Sequence, residues 1–365
     1  MKITKVEAIP FSLPLKQKYE SAAGAHMTPR IIVKIHTDEG VTGIGESAEP
    51  FARTWEETPG SIKFAIDKYF AKILVAEDPF NIGKITEAMD KILARNTIAK
   101  DVVTTALYDA MGRVTRLPIH KLIGGSTIEK VPIAWCIGYE TIEETVRQAL
   151  KWTKEGVIGI KMKLMDHLGK EIDLEKVKAV REAVGPHMSI RVDANGTLPS
   201  IQTLKKMEKY DLALVEQPAN DLKGMKKYAD ALDIPVLVDE YIRGPVEALN
   251  IVEQKAADII AVKDYQVGGI YKAKQIHAML KPFAAPCYFE ATIRSSIGTA
   301  ASLQLISSEA GTPGSVFGCI AGPLMVEDLV KEPVRFGAGY AEVPTKPGLG
   351  VELDEEKLKK LTVTI

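Results

Sequence analysis

From about residue 130 onward, short apolar runs alternate with amphipathic stretches, and most of the central runs stop on a charged residue. The runs are VPIAWCIG (131–138), VIGIKMK (157–163), MSIRVD (188–193), LALVEQ (212–217), IPVLVDE (234–240), DIIAVKD (258–264), APCYF (285–289) and roughly SVFGC (315–319). Near-continuous apolar runs suit strands buried on both faces, as in a parallel sheet covered by helices. Eight of them with helical stretches between predict an α/β barrel. No G-x-G-x-x-G follows a strand, so an open dinucleotide-binding sheet has no support.

The upstream part reads differently. Residues 1–55 read as strands, with IIVKIHTDEGVTGIGESA giving two apolar runs joined by a DEG turn. Residues 60–122 read as helices, and IGGSTIEKV reads as a linker around Gly124 and Gly125. Strands followed by helices predict an α+β unit ahead of the barrel.

The charged residues at the run ends carry the chemistry. The second run ends in Lys161 and Lys163, the third in Asp193, the fourth in Glu216, the fifth in Asp239 and the sixth in Lys263. The steps from Asp193 to Glu216 and from Glu216 to Asp239 are both 23 residues, and the step to Lys263 is 24. One strand, one helix and two loops account for that period, so these side chains gather at the C-terminal ends of the strands, where barrel enzymes keep their active sites. Three carboxylates converging on one point repel one another unless a cation joins them, and an all-oxygen set suits Mg2+ or Mn2+ rather than zinc. A lysine beside a divalent cation and other ammonium groups is expected to have a depressed pKa and to serve as a general base. Taken singly, Lys-x-Lys at a strand end is usually a solvated edge, and Asp193 before ANG could cap a helix; the joint period is what singles these residues out. Glu240 either replaces Asp239 as a ligand or supports it from behind.

Composition bounds the partners. The chain has 365 residues, is 46% hydrophobic and 26% charged, and carries a formal net charge of −1. Neither a nucleic acid nor a membrane surface is expected as a partner. The opening MKITKVEAIPFSLPLKQKYE reads as no secretory signal, and no stretch is long enough to span a bilayer. Cys136, Cys287 and Cys319 form neither a disulfide framework nor a zinc spacing, which points to the cytoplasm.

The motifs Lys161-Met-Lys163, Val192-Asp193-Ala194-Asn195, Val215-Glu216-Gln217-Pro218, Val238-Asp239-Glu240 and Val262-Lys263 with Gly268-Gly269 together resemble the enolase superfamily, in its muconate lactonizing enzyme subgroup. The resemblance extends to MKITKVEAIP, to GIGE at 43–46, and to AGPLMVEDLV and PGLGVELDEEKL near the end. It implies a (β/α)7β TIM-like barrel under an α+β capping domain, with the cap over 1–125, the barrel over 126–335, and a tail over 336–365 returning to the cap. It implies Mg2+ held by Asp193, Glu216 and Asp239, with Asn195 and Glu240 behind them. Lys163 would be the acid/base on one face of a small carboxylate substrate. Lys161 would stabilise charge beside it, and Lys263 would act on the opposite face. The implied reaction is α-proton abstraction to a metal-stabilised enediolate, leading to racemisation, epimerisation or muconate-type cycloisomerisation; dehydration of a hydroxy acid or hydroxyproline-like substrate is the alternative. Two capping loops would shape the pocket, making Tyr19, His26, Met27, Phe51 and Trp55 candidate substrate contacts. A homo-oligomer, dimer or octamer, is the implied assembly.

Departures from the family pattern narrow the reading. APCYFEA has no histidine where the mandelate racemase subgroup places its base, and Cys319 and Ala321 stand where dipeptide epimerases carry Asp-x-Asp. Arg294 stands where muconate lactonizing enzymes usually have a glutamate, with Glu290 four residues earlier. Glu290, Arg294 and Cys319 are therefore added as candidate substrate contacts, although Arg294 reads equally well as an outward surface residue. Schiff-base chemistry on a strand-end lysine does not need three carboxylates at matched steps, and a catalytically silent barrel does not need a full set of proton-transfer groups.

Overall fold

The computed structural model describes residues 1–16, 19–22, 24–25, 29–50, 56–169, 171–309, 317–318 and 322–365. The chain opens with a three-stranded antiparallel sheet, β1 (Ile3–Phe11), β2 (Arg30–Thr37) and β3 (Thr42–Glu46), with β2 in the middle. The DEG turn joins β2 to β3, and Gly40 supplies its left-handed residue at φ 74°. Ile31, Val33 and Ile35 of β2 enter the cap core, while Ile32 enters the larger core shared with the barrel. Both faces of β2 are therefore covered.

Helix α1 (Thr97–Thr115) does the covering on one side, and it is buried without interruption from Ile98 to Gly112. Its polar residues Lys100, Asp101, Thr104, Thr105 and Asp109 are buried with the rest, so no face of this stretch is left to solvent. Two glycines of β3 make its approach possible. A Cβ on Gly43 would lie 2.1 Å from the Ala106 carbonyl oxygen, and one on Gly45 would lie 2.2 Å from that of Val102.

Seven parallel strands follow, each hydrogen-bonded to the next: β4 (Lys130–Ile137), β5 (Gly159–Lys163), β6 (Ser189–Asp193), β7 (Leu212–Glu216), β8 (Val236–Val238), β9 (Ile259–Val262) and β10 (Cys287–Phe289). An eighth, β11 (Phe317–Gly318), pairs in parallel with Ile133 and Ala134 of β4 and turns the sheet back on itself. The architecture is thus a TIM-like barrel beneath an N-terminal capping domain. β12 (Phe336–Gly337) and β13 (Tyr340–Glu342) form a hairpin that pairs with the start of barrel strand β4, and further on Glu355 bonds Lys34 and Thr362 bridges Phe11 of the cap sheet. Among the described residues, no helix is long and apolar enough to cross a membrane.

Period-two alternation sorts the barrel strands. Val192, Val215, Val238, Ile260 and Val262 face the surrounding helices within the main core. Leu214, Leu237, Ile259, Ala261 and Tyr288 form a separate small cluster inside the barrel. Two residues beyond Leu214, Leu237, Ala261 and Tyr288 stand Glu216, Asp239, Lys263 and Glu290. The barrel interior is apolar below and ionic at its C-terminal end.

Two predictions follow from the cap. Gly43→Ala should destabilise the protein by about 1–3 kcal/mol, the usual range for overpacking, read by urea denaturation. Glu57 accepts the Ile98 and Ala99 N–H groups at the start of α1, at 2.8 and 3.3 Å. Burial nevertheless pushes its carboxyl up to about 7. The folded state then keeps this proton longer than the unfolded chain, whose glutamates titrate near about 4.3. Stability should fall as pH rises through that window, and Glu57→Gln should lessen the slope in denaturation curves taken between the two values.

Candidate active site

β5 carries Lys161 and Lys163 on the barrel's inner face, because residues two apart in a strand share a face. Lys163 is in register with Asp193 of β6, and Asp193 with Glu216 of β7. Lys161 is in register with Cys136 of β4. Asp239 and Lys263 follow immediately after β8 and β9, and Glu290 after β10. All six of the charged residues singled out by the 23-residue period are buried, each less than a tenth exposed.

Each lysine takes its own carboxylate. The Lys161 ammonium donates to both Glu216 oxygens at 2.9 and 3.0 Å. Lys163 donates to Asp193 Oδ2 in a very short contact, and Lys263 donates to Asp239 Oδ2 at 2.5 Å. Glu290 lies among them, 3.4 Å from Lys161, 3.8 Å from Lys263 and 3.7 Å from Arg191. Four cations thus face five carboxylates when Glu240 is included.

The expectation of depressed lysine pKa values concerns lysines beside a bound cation, and it stands apart from what the lysine–carboxylate contacts do by themselves. Burial does pull Lys161 down, but Glu216 and Glu290 outweigh it and hold the ammonium well above the ordinary lysine range. Asp193 does the same for Lys163, and Asp239 for Lys263, in each case against burial. Asp239 resists its own burial and is held down at about 2 by Lys263. The physical reason is direct contact: the lysines sit on the carboxylates that a metal would otherwise neutralise.

The surrounding residues fix these carboxylates. The Asn195 N–H bonds Asp193 Oδ1 at 2.9 Å, and its side-chain amide bonds Glu240 Oε1 at 2.5 Å. Gln217 accepts the Asp239 N–H at 2.7 Å, and Gln266 donates to Asp239 Oδ1 at 2.6 Å. Asn195 and Gln217 both adopt left-handed backbone, at φ 44° and 41°, a strain that clusters at functional sites. Burial, with Asp239 and Asp193 adding to it, pushes the Glu240 carboxyl up to about 7.

The donor chemistry fits a hard cation. Glu216, Asp239 and Glu290 each offer an oxygen within 4.8 Å of the others. Buried oxygens of Glu290, Glu240 and Asn195 have no hydrogen-bond partner. An all-oxygen site of this kind suits a divalent ion such as Mg2+. The trio differs from the expected Asp193, Glu216 and Asp239 in one member, because Glu290 reaches the same point from β10.

The remaining expected contacts are distributed unevenly. Tyr19 is buried and its hydroxyl donates to the Cys136 thiol at 2.8 Å, which brings it to the mouth beside Lys161. His26, Met27, Phe51, Trp55 and Cys319 lie outside the described residues. Arg294 is neither an outward surface residue nor a group lining the ionic chamber: it is fully buried, with its guanidinium held by Asp264 and Asp101. Cys136 and Arg191 were not singled out, although period-two alternation places Arg191 on the same face as Asp193.

Comparison with known proteins agrees with this fold. Residues 4–124 match the mandelate racemase/muconate lactonizing enzyme N-terminal domain, and residues 144–357 match the enolase C-terminal domain-like family. Muconate cycloisomerase 1 of Rhodococcus opacus is 30% identical over 372 residues, covering 99% of each chain. N-succinyl-L-Arg/Lys racemase of Bacillus cereus is 28% identical, covering 100% of this chain and 98% of its own. The crystal structure of 2-chloromuconate cycloisomerase from Rhodococcus opacus superposes with a TM-score of 0.93 at 28% identity, covering both chains in full. The chain belongs to the mandelate racemase/muconate lactonizing enzyme family of the enolase superfamily, and is an isomerase-type enzyme of that family.

The lysine–carboxylate pairing makes a prediction of its own. Lys161→Met leaves Glu216 and Glu290 facing each other without their shared cation. Breaking a buried ion pair costs about 3–5 kcal/mol. Urea denaturation in EDTA should show a loss of that order, and millimolar Mg2+ should restore most of it.

Proposed function

We propose that this member of the family is a Mg2+-dependent isomerase that moves the α-proton of a small carboxylate, as a racemase, epimerase or muconate-type cycloisomerase. The observation that carries the reading is the placement of Lys163 and Lys263. Lys163 ends the second barrel strand and Lys263 follows the sixth, so three strands separate them and they approach the carboxylate cluster from opposite sides. Two acid/base groups across one centre can remove a proton from one face of a carbon and deliver one to the other. The same pair suits a cycloisomerase, where one lysine handles the proton at a single carbon.

Asp193, Glu216 and Asp239 would hold the cation. Glu290 is the weaker choice of third ligand because it already faces Arg191, a permanent cation. When bound, Mg2+ would balance the carboxylates and make the α-proton of a coordinated carboxylate more acidic. The residues do the rest. Lys163 exchanges a proton with the α-carbon at its Nζ, and Lys263 does so from the far side. Lys161, next to Glu216 and Glu290, keeps a positive charge beside both. Gln266 and Gln217 hold Asp239 in place, and Asn195 holds Asp193. The barrel's apolar cluster closes the floor against water.

The relatives act on muconates and on N-succinyl amino acids, and small carboxylates of these kinds are the substrates to try first. Proton NMR in D2O with Mg2+ would follow N-succinyl-L-arginine, N-succinyl-D-arginine and cis,cis-muconate. Lys163→Ala should abolish α-proton exchange on one face and Lys263→Ala on the other, each by about a hundredfold or more. Unchanged exchange in Lys163→Ala would remove the base assignment.

A further inference from the structure

Arg294 sits far inside the protein, yet no part of the proposed proton transfer uses it. Its Nη2 donates to both Asp264 oxygens at 2.9 Å and makes a very short contact with the Ser302 hydroxyl. Its Nη1 lies 3.5 Å from Asp101 Oδ2. Its guanidinium stands 5.5 Å from the Tyr265 ring. The two aspartates come from different parts of the molecule. Asp101 is on the cap helix α1, and Asp264 opens the short helix α2 (Asp264–Val267) directly after Lys263.

Helix α2 is what the arginine holds. It begins one residue after Lys263 and carries Gln266, and both of these side chains bond Asp239. Three glycines make the arrangement possible. A Cβ on Gly298 would lie 2.4 Å from Arg294 Cδ, so only glycine lets the arginine lie across α3 (Ser296–Ser307). A Cβ on Gly269 would lie 2.1 Å from the Thr104 hydroxyl of α1, so the Gly268–Gly269 turn lets α2 rest against the cap. Gly268 and Gly269 both have left-handed φ, at 89° and 113°. The loop carrying Arg294 is itself fastened to the cap, since Glu46 of β3 accepts the Ser295 N–H, the Ser295 hydroxyl and the Gly298 N–H.

We propose that Arg294 is a positioning residue that couples the seating of the capping domain to the placement of Lys263 and Asp239, through Asp101 on one side and Asp264 on the other. The proposal rests on the reading of Lys263 as an acid/base group. The contact with Asp101 is a charge contact without a hydrogen bond, so loss of Asp101 leaves the guanidinium tied to Asp264 and Ser302 alone and removes its tie to α1.

The test uses the full-length chain with Asp101→Asn, Arg294→Lys and the two combined. Arg294→Lys keeps the charge and loses the planar fork. Hydrogen–deuterium exchange, read by mass spectrometry without metal or substrate, is expected to speed up about tenfold over residues 264–270 in each single variant. Residues 142–154, on the far side of the barrel, should not change. The double variant should do no more than Arg294→Lys alone. Acceleration confined to residues 97–115 in Asp101→Asn, or additive effects in the double variant, would overturn the coupling.

Proton washout from substrate supplies a readout that general loosening would not give. With N-succinyl-L-arginine and N-succinyl-D-arginine in D2O, Arg294→Lys should slow α-proton washout about tenfold to a hundredfold for the enantiomer whose proton Lys263 removes. The other enantiomer's washout should change little, while racemisation falls equally in both directions. Equal losses of washout for the two enantiomers would contradict a role through Lys263. If Lys263→Ala leaves both reactions intact, the Lys263 assignment fails, and the exchange data still decide whether Asp101 and Arg294 are coupled. The exchange data decide equally where neither probe turns over.

Discussion

Three buried ammonium groups, each bonded to its own buried carboxylate, are the constraint around which this barrel is organised. Taking so many charges out of water is costly, and only close pairing makes it tolerable. Lys161 with Glu216, Lys163 with Asp193 and Lys263 with Asp239 supply that pairing from five different strands and strand ends. The strand register follows from it, because a one-residue slip of any strand would turn its charge outward into the helical layer. The apolar floor of Leu214, Leu237, Ile259 and Ala261 then makes the charged layer the only polar level inside the described part of the barrel's far strands.

The same pairing explains how one set of residues can be stable and reactive. A lysine that rests on a carboxylate is held protonated and is no base. A cation taking over the carboxylates would change that balance. Lysines and metal would then be alternative partners for one group of oxygens, and Arg191 beside Glu290 gives the cluster a cation that proton transfer cannot remove. The cap adds a second layer of control. Glu46 and Asp101 reach from the cap into the loop and helix that carry Ser295, Arg294 and Asp264, so the barrel mouth is held by cap residues as well as roofed by them.

Much of this was legible in the sequence. Apolar runs at regular steps define the strands, and period two within each run tells which side chain faces in. That is why Lys161, Lys163, Asp193, Glu216, Asp239 and Lys263 could be named together. Arg191 obeys the same alternation, but within MSIRVD it reads as an isolated interruption until Glu290 is seen opposite. Glu290 itself follows APCYF by one residue, and nothing in the string distinguishes a substrate contact from a member of the carboxylate cluster. Arg294 was the hardest to read. Its partners, Asp101 and Asp264, lie in other elements, and its burial depends on a glycine one helical turn away at Gly298. Who pairs with whom, and so which way a lysine titrates, is a property of three-dimensional contact that spacing does not carry.

The most direct test of the account is a crystal structure of the protein grown with Mg2+ and compared with one grown in EDTA. The account predicts a cation bound by oxygens of Asp193, Glu216 and Asp239, with the Lys161, Lys163 and Lys263 ammonium groups drawn away from the positions they share with those carboxylates in EDTA. A cation bound elsewhere, or all three lysine–carboxylate bonds intact with no cation among them at saturating Mg2+, would contradict it.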